Sequence, residues 1–274
     1  MKRLFLLCCC LAAAVPFSAR GESLERALRA VTDSVRATVG VAVVFGDGDT
    51  LAVNGGRCYP MLSVCKFHQA LAVLDRLDRR GLPLTTRIPV RRSDLLSGTW
   101  SPLREACPGG GRFTVAELLT YSVAQSDNNV CDVLFRFLGG TEAVDRYIAG
   151  LGIGETVIVA DEEMMHRHTD NQYLNRTTPL AAVRLLELFR RGELLSAAYG
   201  DFLLETMFAT ETGPDKLRGL LPADVAVAHK TGSSDRDGRG VKIADNDIGI
   251  VRLPDGRSYS IAVFAMDSRE DDRP

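Results

Sequence analysis

The sequence predicts an α/β protein of the α+β type: an antiparallel sheet of about five strands built from both ends of the chain, flanked by helices, with an all-helical block inserted between. Three observations carry this. Short β-branched runs occur near residues 40–53 and again near 225–265; the sequence between them repeats its apolar residues at helical spacing; glycine and proline turns separate the runs. A chain of 274 residues with 46% hydrophobic and 25% charged content has ample material for a core. The expected division is a discontinuous sheet part, 22–62 with 211–274, and a helical part, 63–210. A net charge of -2 and a pI near 6.1 exclude an electrostatically driven nucleic-acid or polybasic membrane partner.

The first residues read as a secretory signal: Met1-Lys2-Arg3 is positive, Leu4 to Val15 is apolar but too short to span a bilayer, and Ala19-Arg20-Gly21 offers a cleavage site. The mature chain is then expected outside the cytoplasm, secreted or periplasmic, in an oxidising compartment. Leu24, Leu28, Val31 and Val35 predict an amphipathic helix, and Gly40 to Phe45, turned at Gly46-Asp47-Gly48 into Leu51 to Val53, predicts a hairpin. A helix headed by Ser63 and closed by Gly81 follows, and then an irregular stretch containing Trp100. Thr114 to Glu117 has the form of a capping box, Asp127 to Leu138 is helical with a Gly139-Gly140 stop, Thr141 caps another helix, and Thr178-Pro179 opens one that ends at Gly192. Between these, residues 160–178 lie in a polar, aperiodic loop of a length that is usually functional. Strands are expected at Val225 to Lys230, Asp247 to Val251 and Ser260 to Ala265.

Chemistry-bearing residues sit at the edges of these elements. Ser63 and Lys66, three apart on a helix, share a face, so a hydroxyl and an amine stand one above the other at a helix N-terminus. Ser126-Asp127-Asn128 places a hydroxyl and an amide at a turn, where a plain N-cap would look the same. Lys230-Thr231-Gly232-Ser233 ends a strand with an ammonium, two hydroxyls and a glycine that admits a close backbone approach. Of the cysteines beyond the signal, Cys65 and Cys131 read as buried small hydrophobes, while Cys58 and Cys107 lie in loops, their pairing open. No metal-ligand spacing occurs, so neither metal nor cofactor is expected.

Taken in order, S-x-x-K, S-D-N and K-T-G make the chain resemble the class A β-lactamases over nearly the whole mature length. The resemblance implies a β-lactamase/transpeptidase-like fold and a serine hydrolase that opens penicillins and cephalosporins, conferring resistance, with a small β-lactam as its partner and a monomer as its state. It implies Ser63 as nucleophile, either Lys66 or Glu162 as acylation base, Ser126 as proton relay, and Glu162, in the omega loop, as the group that activates water for deacylation. Asn128 would bind the substrate's side-chain amide. Lys230, Thr231, Gly232 and Ser233 would receive its carboxylate, aided by Lys216, and Trp100 would form a shelf over the groove.

A lysine base requires a lowered pKa, for which Lys230 is the natural neighbour. The family's usual asparagine four residues after the glutamate is here His166. That departure, Tyr59 to Ser63 and Asn246-Asp247-Ile248-Gly249 resemble a cephalosporinase-leaning branch. A penicillin-binding D,D-peptidase, against which Glu162 argues, and a non-hydrolytic β-lactam sensor, which would acylate once and stay acylated, are the alternatives. The family continues into a C-terminal helix, whereas this sequence stops at Pro274. The outer sheet face, from the Leu24 helix to Ile261–Phe264, is therefore expected to be exposed, so that either the sequence is a truncated one or the product is poorly stable.

Overall fold

The computed structural model describes residues 17–219 and 221–271, so most of the expected signal segment and Asp272 to Pro274 lie outside the described residues. Helix α1 (Phe17–Ser34) leads into β1 (Thr38–Phe45) and β2 (Thr50–Val53). The chain returns at its other end as β7 (Ala226–Ser233), β8 (Lys242–Arg252) and β9 (Ser258–Ser268), giving one antiparallel sheet in the order β2-β1-β9-β8-β7. The expected sheet is therefore present, assembled from both chain ends, with β7 at an edge.

Both faces of this sheet are covered, which explains why its central strands read as continuous apolar runs. On β1, Val39, Val41 and Val43 pack with Leu28 of α1, while Ala42 and Val44 face the larger core. On β9, Ile261 and Val263 join the Leu28 cluster and Phe264 joins the other. All three are fully buried, so the expected exposure of Ile261 to Phe264 is not found.

The helical part is organised around α2 (Cys65–Arg80), entered through a 3₁₀ turn at Leu62–Val64 and ended by Gly81 at φ 60. Its Leu71, Leu74 and Leu77 are fully buried, each stabilising the fold by about 1.5–3 kcal/mol. Around it stand α3 (Pro102–Ala106), α4 (Val115–Leu119) with the expected Thr114–Glu117 capping box, α5 (Asn128–Leu138) capped by Asp127, α6 (Thr141–Gly150), α7 (Glu162–Arg167), α8 (Pro179–Arg190) and α9 (Ala197–Phe208). Helix α8 lies against β1 and β9 and so joins the two parts.

Four local readings need correction. Gly140, not Thr141, occupies the cap position of α6. The stretch before α4 is not wholly irregular, because β4 (Arg87–Arg91) pairs with β5 (Gly110–Thr114). Helix α9 lies in a stretch for which no helix is expected from the sequence. The 160–178 loop holds α7, a 3₁₀ turn at Thr169–Tyr173 and β6 (Arg176–Thr177), the last paired with β3 (Tyr59–Pro60).

Candidate active site

The site forms where the edge strand β7 meets the turn that opens α2. A cleft of about 250 Å³ lies there, lined among others by Ser63, Trp100, Asn128, Glu162, His166 and Ser233. Ser63 stands on the 3₁₀ turn, just after Leu62 at φ 46, a left-handed conformation unusual for a branched side chain. Lys66, one turn on and fully buried, points back to it: Nζ donates to Ser63 Oγ at 2.7 Å, to Asn128 Oδ1 at 2.6 Å and to the Ser126 carbonyl at 3.1 Å. Glu162 Oε1 lies 2.8 Å from the same ammonium. One buried cation thus gathers Ser63, the S-D-N turn and the loop glutamate.

The second cation is Lys230. Its Nζ donates to Ser126 Oγ at 3.0 Å and to the Thr231 carbonyl at 2.8 Å. Ser126 is held at φ 59 and presents its carbonyl to Lys66 and its hydroxyl to Lys230. Asp127, between the two chemical residues of the motif, is structural: it accepts from Val130 N, Leu103 N and Ser101 Oγ.

The electrostatics differ from the expectation. Burial pushes Lys66 down, but the opposing interactions, led by the Glu162 carboxylate, together outweigh it, so Lys66 ends above its ordinary value. Lys230 is the lysine that falls, to about 7, through burial and then the Lys66 charge beside it. In the resting site Lys66 therefore holds its proton.

Gly232 explains how closely the two halves approach. A Cβ there would stand 2.5 Å from the Met61 carbonyl and 2.9 Å from Val64 N. Ser234 N donates to Ala244 O across the β7–β8 ladder. By strand alternation the Ser233 amide points away from β8, to the open edge where Ser63 lies. The amides of Ser63 and Ser233 are thus available as a pair of donors for an oxyanion.

Residues the sequence did not single out hold this arrangement. Asp132 on α5 accepts from Glu162 N at 2.7 Å and Glu163 N at 3.0 Å, capping α7. Thr99 Oγ1 accepts from Asn128 Nδ2 at 2.7 Å and sits 3.1 Å from His166 Nε2. His166 Nδ1 lies 2.7 Å from the Glu162 carbonyl, so His166 closes on its own helix while lining the cleft. Trp100 is 56% exposed at the rim and donates Nε1 to the Gln125 carbonyl. Lys216 donates to Ser233 Oγ and Asn246 O and pairs with Asp245. Thr231 Oγ1 lies 2.6 Å from Thr212 Oγ1. Cys65 and Cys131 are buried free thiols; Cys58 is exposed, Cys107 half-buried, and both are free. Among the described residues no cluster of three or more His, Cys, Asp or Glu could hold a metal ion.

Comparison with known proteins agrees with this geometry. A family profile described as the beta-lactamase enzyme family matches residues 23–274. A beta-lactamase of Bacteroides uniformis is 45% identical over 91% of this chain and 85% of its own length. The crystal structure of the TLA-3 extended-spectrum beta-lactamase superposes with a TM-score of 0.90 at 46% identity, covering 92% of each chain. A class A beta-lactamase structure from Bacteroides cellulosilyticus gives 0.88 at 45% identity, over 92% of this chain and 91% of its own. With Ser63, Lys66, Lys230 and Glu162 brought together in one site, the chain belongs to the β-lactamase enzyme family as a class A serine member.

Proposed function

We propose that this β-lactamase opens the lactam ring through an acyl-enzyme on Ser63, with Glu162 as the base for both half-reactions. The observation that carries this reading is the buried contact of Lys66 with Ser63 Oγ and Glu162 at once. Because Lys66 is held protonated by Glu162, it orients Ser63 Oγ rather than deprotonating it, and the carboxylate takes the proton through an intervening water. The tetrahedral oxyanion is received by the amides of Ser63 and Ser233. Ser126, between the two lysines, delivers a proton to the leaving nitrogen. Glu162 then activates the water that releases the acyl group, the step that separates a hydrolase from a peptidase or a sensor that stays acylated.

Asn128, Lys230, Thr231, Gly232 and Ser233 form the substrate-binding side, with Trp100 and His166 at the rim. We read the preferred substrates as cephalosporins, supported by the likeness to the extended-spectrum TLA-3 enzyme and by the Tyr59–Ser63 and Asn246–Gly249 stretches. The division into residues 22–62 with 211–274 and residues 63–210 is supported by a sheet drawn from both ends. Export to the periplasm, cleavage near Ala19 to Gly21 and a monomeric state belong to the same reading. No helix among the described residues is long and apolar enough to cross a membrane.

The test is Glu162→Gln. Removing the carboxylate stops deacylation and also withdraws the charge that raises Lys66, freeing that amine to assist acylation. Mass spectrometry after mixing with a cephalosporin should find one acyl group per chain, while steady-state turnover falls by about 10²–10⁴. Turnover at the wild-type rate would overturn the assignment.

A further inference from the structure

Lys216, Ser233 and Asp245 form a closed polar triangle at the end of the cleft that takes the substrate's carboxylate. Lys216 Nζ has three donors. They go to Ser233 Oγ at 2.7 Å, to Asn246 O at 2.9 Å and to Asp245 Oδ1 at 2.7 Å. The Ser233 hydroxyl accepts from Lys216 and gives its one proton to Asp245 Oδ1 at 3.0 Å. Asp245 faces Ser233 across the β7–β8 ladder, is buried, and has Lys242 Nζ 3.4 Å from its other oxygen. Two of the three Lys216 donors are spent inside the triangle and the third on the Asn246 carbonyl, and the proton of the Ser233 hydroxyl, at the cleft, points at a carboxylate.

We infer that Asp245 is a positioning and specificity-determining residue: it keeps Lys216 as a strut beneath Ser233 and competes with the substrate's carboxylate for the Ser233 hydroxyl proton. The inference rests on the β-lactamase reading of the site and deepens it. An incoming carboxylate that accepts from Ser233 Oγ must share that oxygen with Asp245, which puts two anions on opposite sides of one hydroxyl. Lys216 and Lys242 offset much of the repulsion, and what remains weakens carboxylate binding by about three- to tenfold. A lactam without the anion escapes the penalty.

The test compares the wild-type chain with Asp245→Asn and Asp245→Ser, which remove the charge while leaving Lys216 an oxygen acceptor. Steady-state kinetics are measured on a chromogenic cephalosporin carrying its free carboxylate and on the same compound as a carboxyl ester, with circular dichroism to report folding. The expected result is a KM for the free acid lowered about three- to tenfold, kcat within about twofold, and an unchanged KM for the ester. An unchanged or raised KM for the acid in a folded variant would overturn the inference, as would equal changes on acid and ester, which mark a structural role. Loss of the folded state in both variants would overturn it too, because a positioning residue leaves the chain folded. A wild-type chain that turns over neither compound would instead sink the hydrolase reading itself.

Discussion

At the scale of single residues the site is governed by two buried lysines with opposite fates. Lys66 has a carboxylate 2.8 Å away and stays charged; Lys230 has another ammonium as its neighbour and falls to about 7. Lys230 therefore loses its proton as pH rises through about 7, while the unfolded chain keeps it until the ordinary lysine range. Over that window the unfolded state binds more protons, so Lys230 adds stability as pH rises, and under the binding role proposed for it the substrate's carboxylate loses its cation. The expected outcome is a KM for carboxylate-bearing cephalosporins that climbs by about tenfold between roughly pH 6 and 9, with little change for their esters. A flat KM across that range would show that Lys230 remains charged in the folded chain. The motif residues were legible in the sequence because their types and spacing are specific: Ser63, Lys66, Ser126, Glu162 and Lys230 are brought together in one site. Thr99, Asp132 and Asp245 were not legible. Their roles come from partners far along the chain, and a lone threonine or aspartate carries no signal of its own.

At the scale of elements the informative case is α7, six residues inside a stretch that reads as aperiodic loop. Its order comes from side chains rather than an apolar face. Asp161 accepts from Met164 N at one end, Asp132 from two amides, and Asn175 Oδ1 from Val159 N and Ala160 N in the segment before it. Pattern reading detects hydrophobic periodicity, so an element held by such bonds escapes it. Burial, opposed by the bonds from Glu162 N and Glu163 N and reinforced by the nearby carboxylates of Glu162 and Asp161, raises Asp132 to about 7. The folded chain then keeps a proton on Asp132 between about pH 4 and 7 that the unfolded chain has lost, so this residue lowers stability as pH rises through that window and adds no further slope above it. Asp132→Asn should remove that component, by as much as about 4 kcal/mol between the ends of the window. Thermal melts of both chains across it provide the check, and parallel curves would mean that Asp132 titrates normally.

At the scale of the whole molecule, the cleft exists because sheet and helices are pinned together at the nucleophile turn. The five strands were legible because both faces of the central ones are buried, whereas the pins were not, being buried amides whose partners are main-chain groups. Asn246 on β8 donates Nδ2 to the Pro60 carbonyl at 2.7 Å and the Met61 carbonyl at 3.2 Å, and its Oδ1 accepts from Ala265 N. Met61 N donates in turn to the Asn175 carbonyl, at the end of the omega loop. These bonds hold the residues immediately before Leu62, whose left-handed backbone costs of order 1–3 kcal/mol and persists only under such restraint. Asn246→Ala would leave two buried carbonyls and an amide without that partner, a loss of about 2–4 kcal/mol. For a chain of this size that lowers Tm by about 5–15 °C. It should also let Leu62 relax and turn the Ser63 amide from the oxyanion position, reducing the acylation rate at least tenfold, as a misplacement of about 1 Å does. Rapid-mixing measurements of acylation with a cephalosporin, beside thermal melts, separate the two effects. Lost stability with an undiminished acylation rate would mean that Asn246 joins sheet to turn without setting the geometry of Ser63.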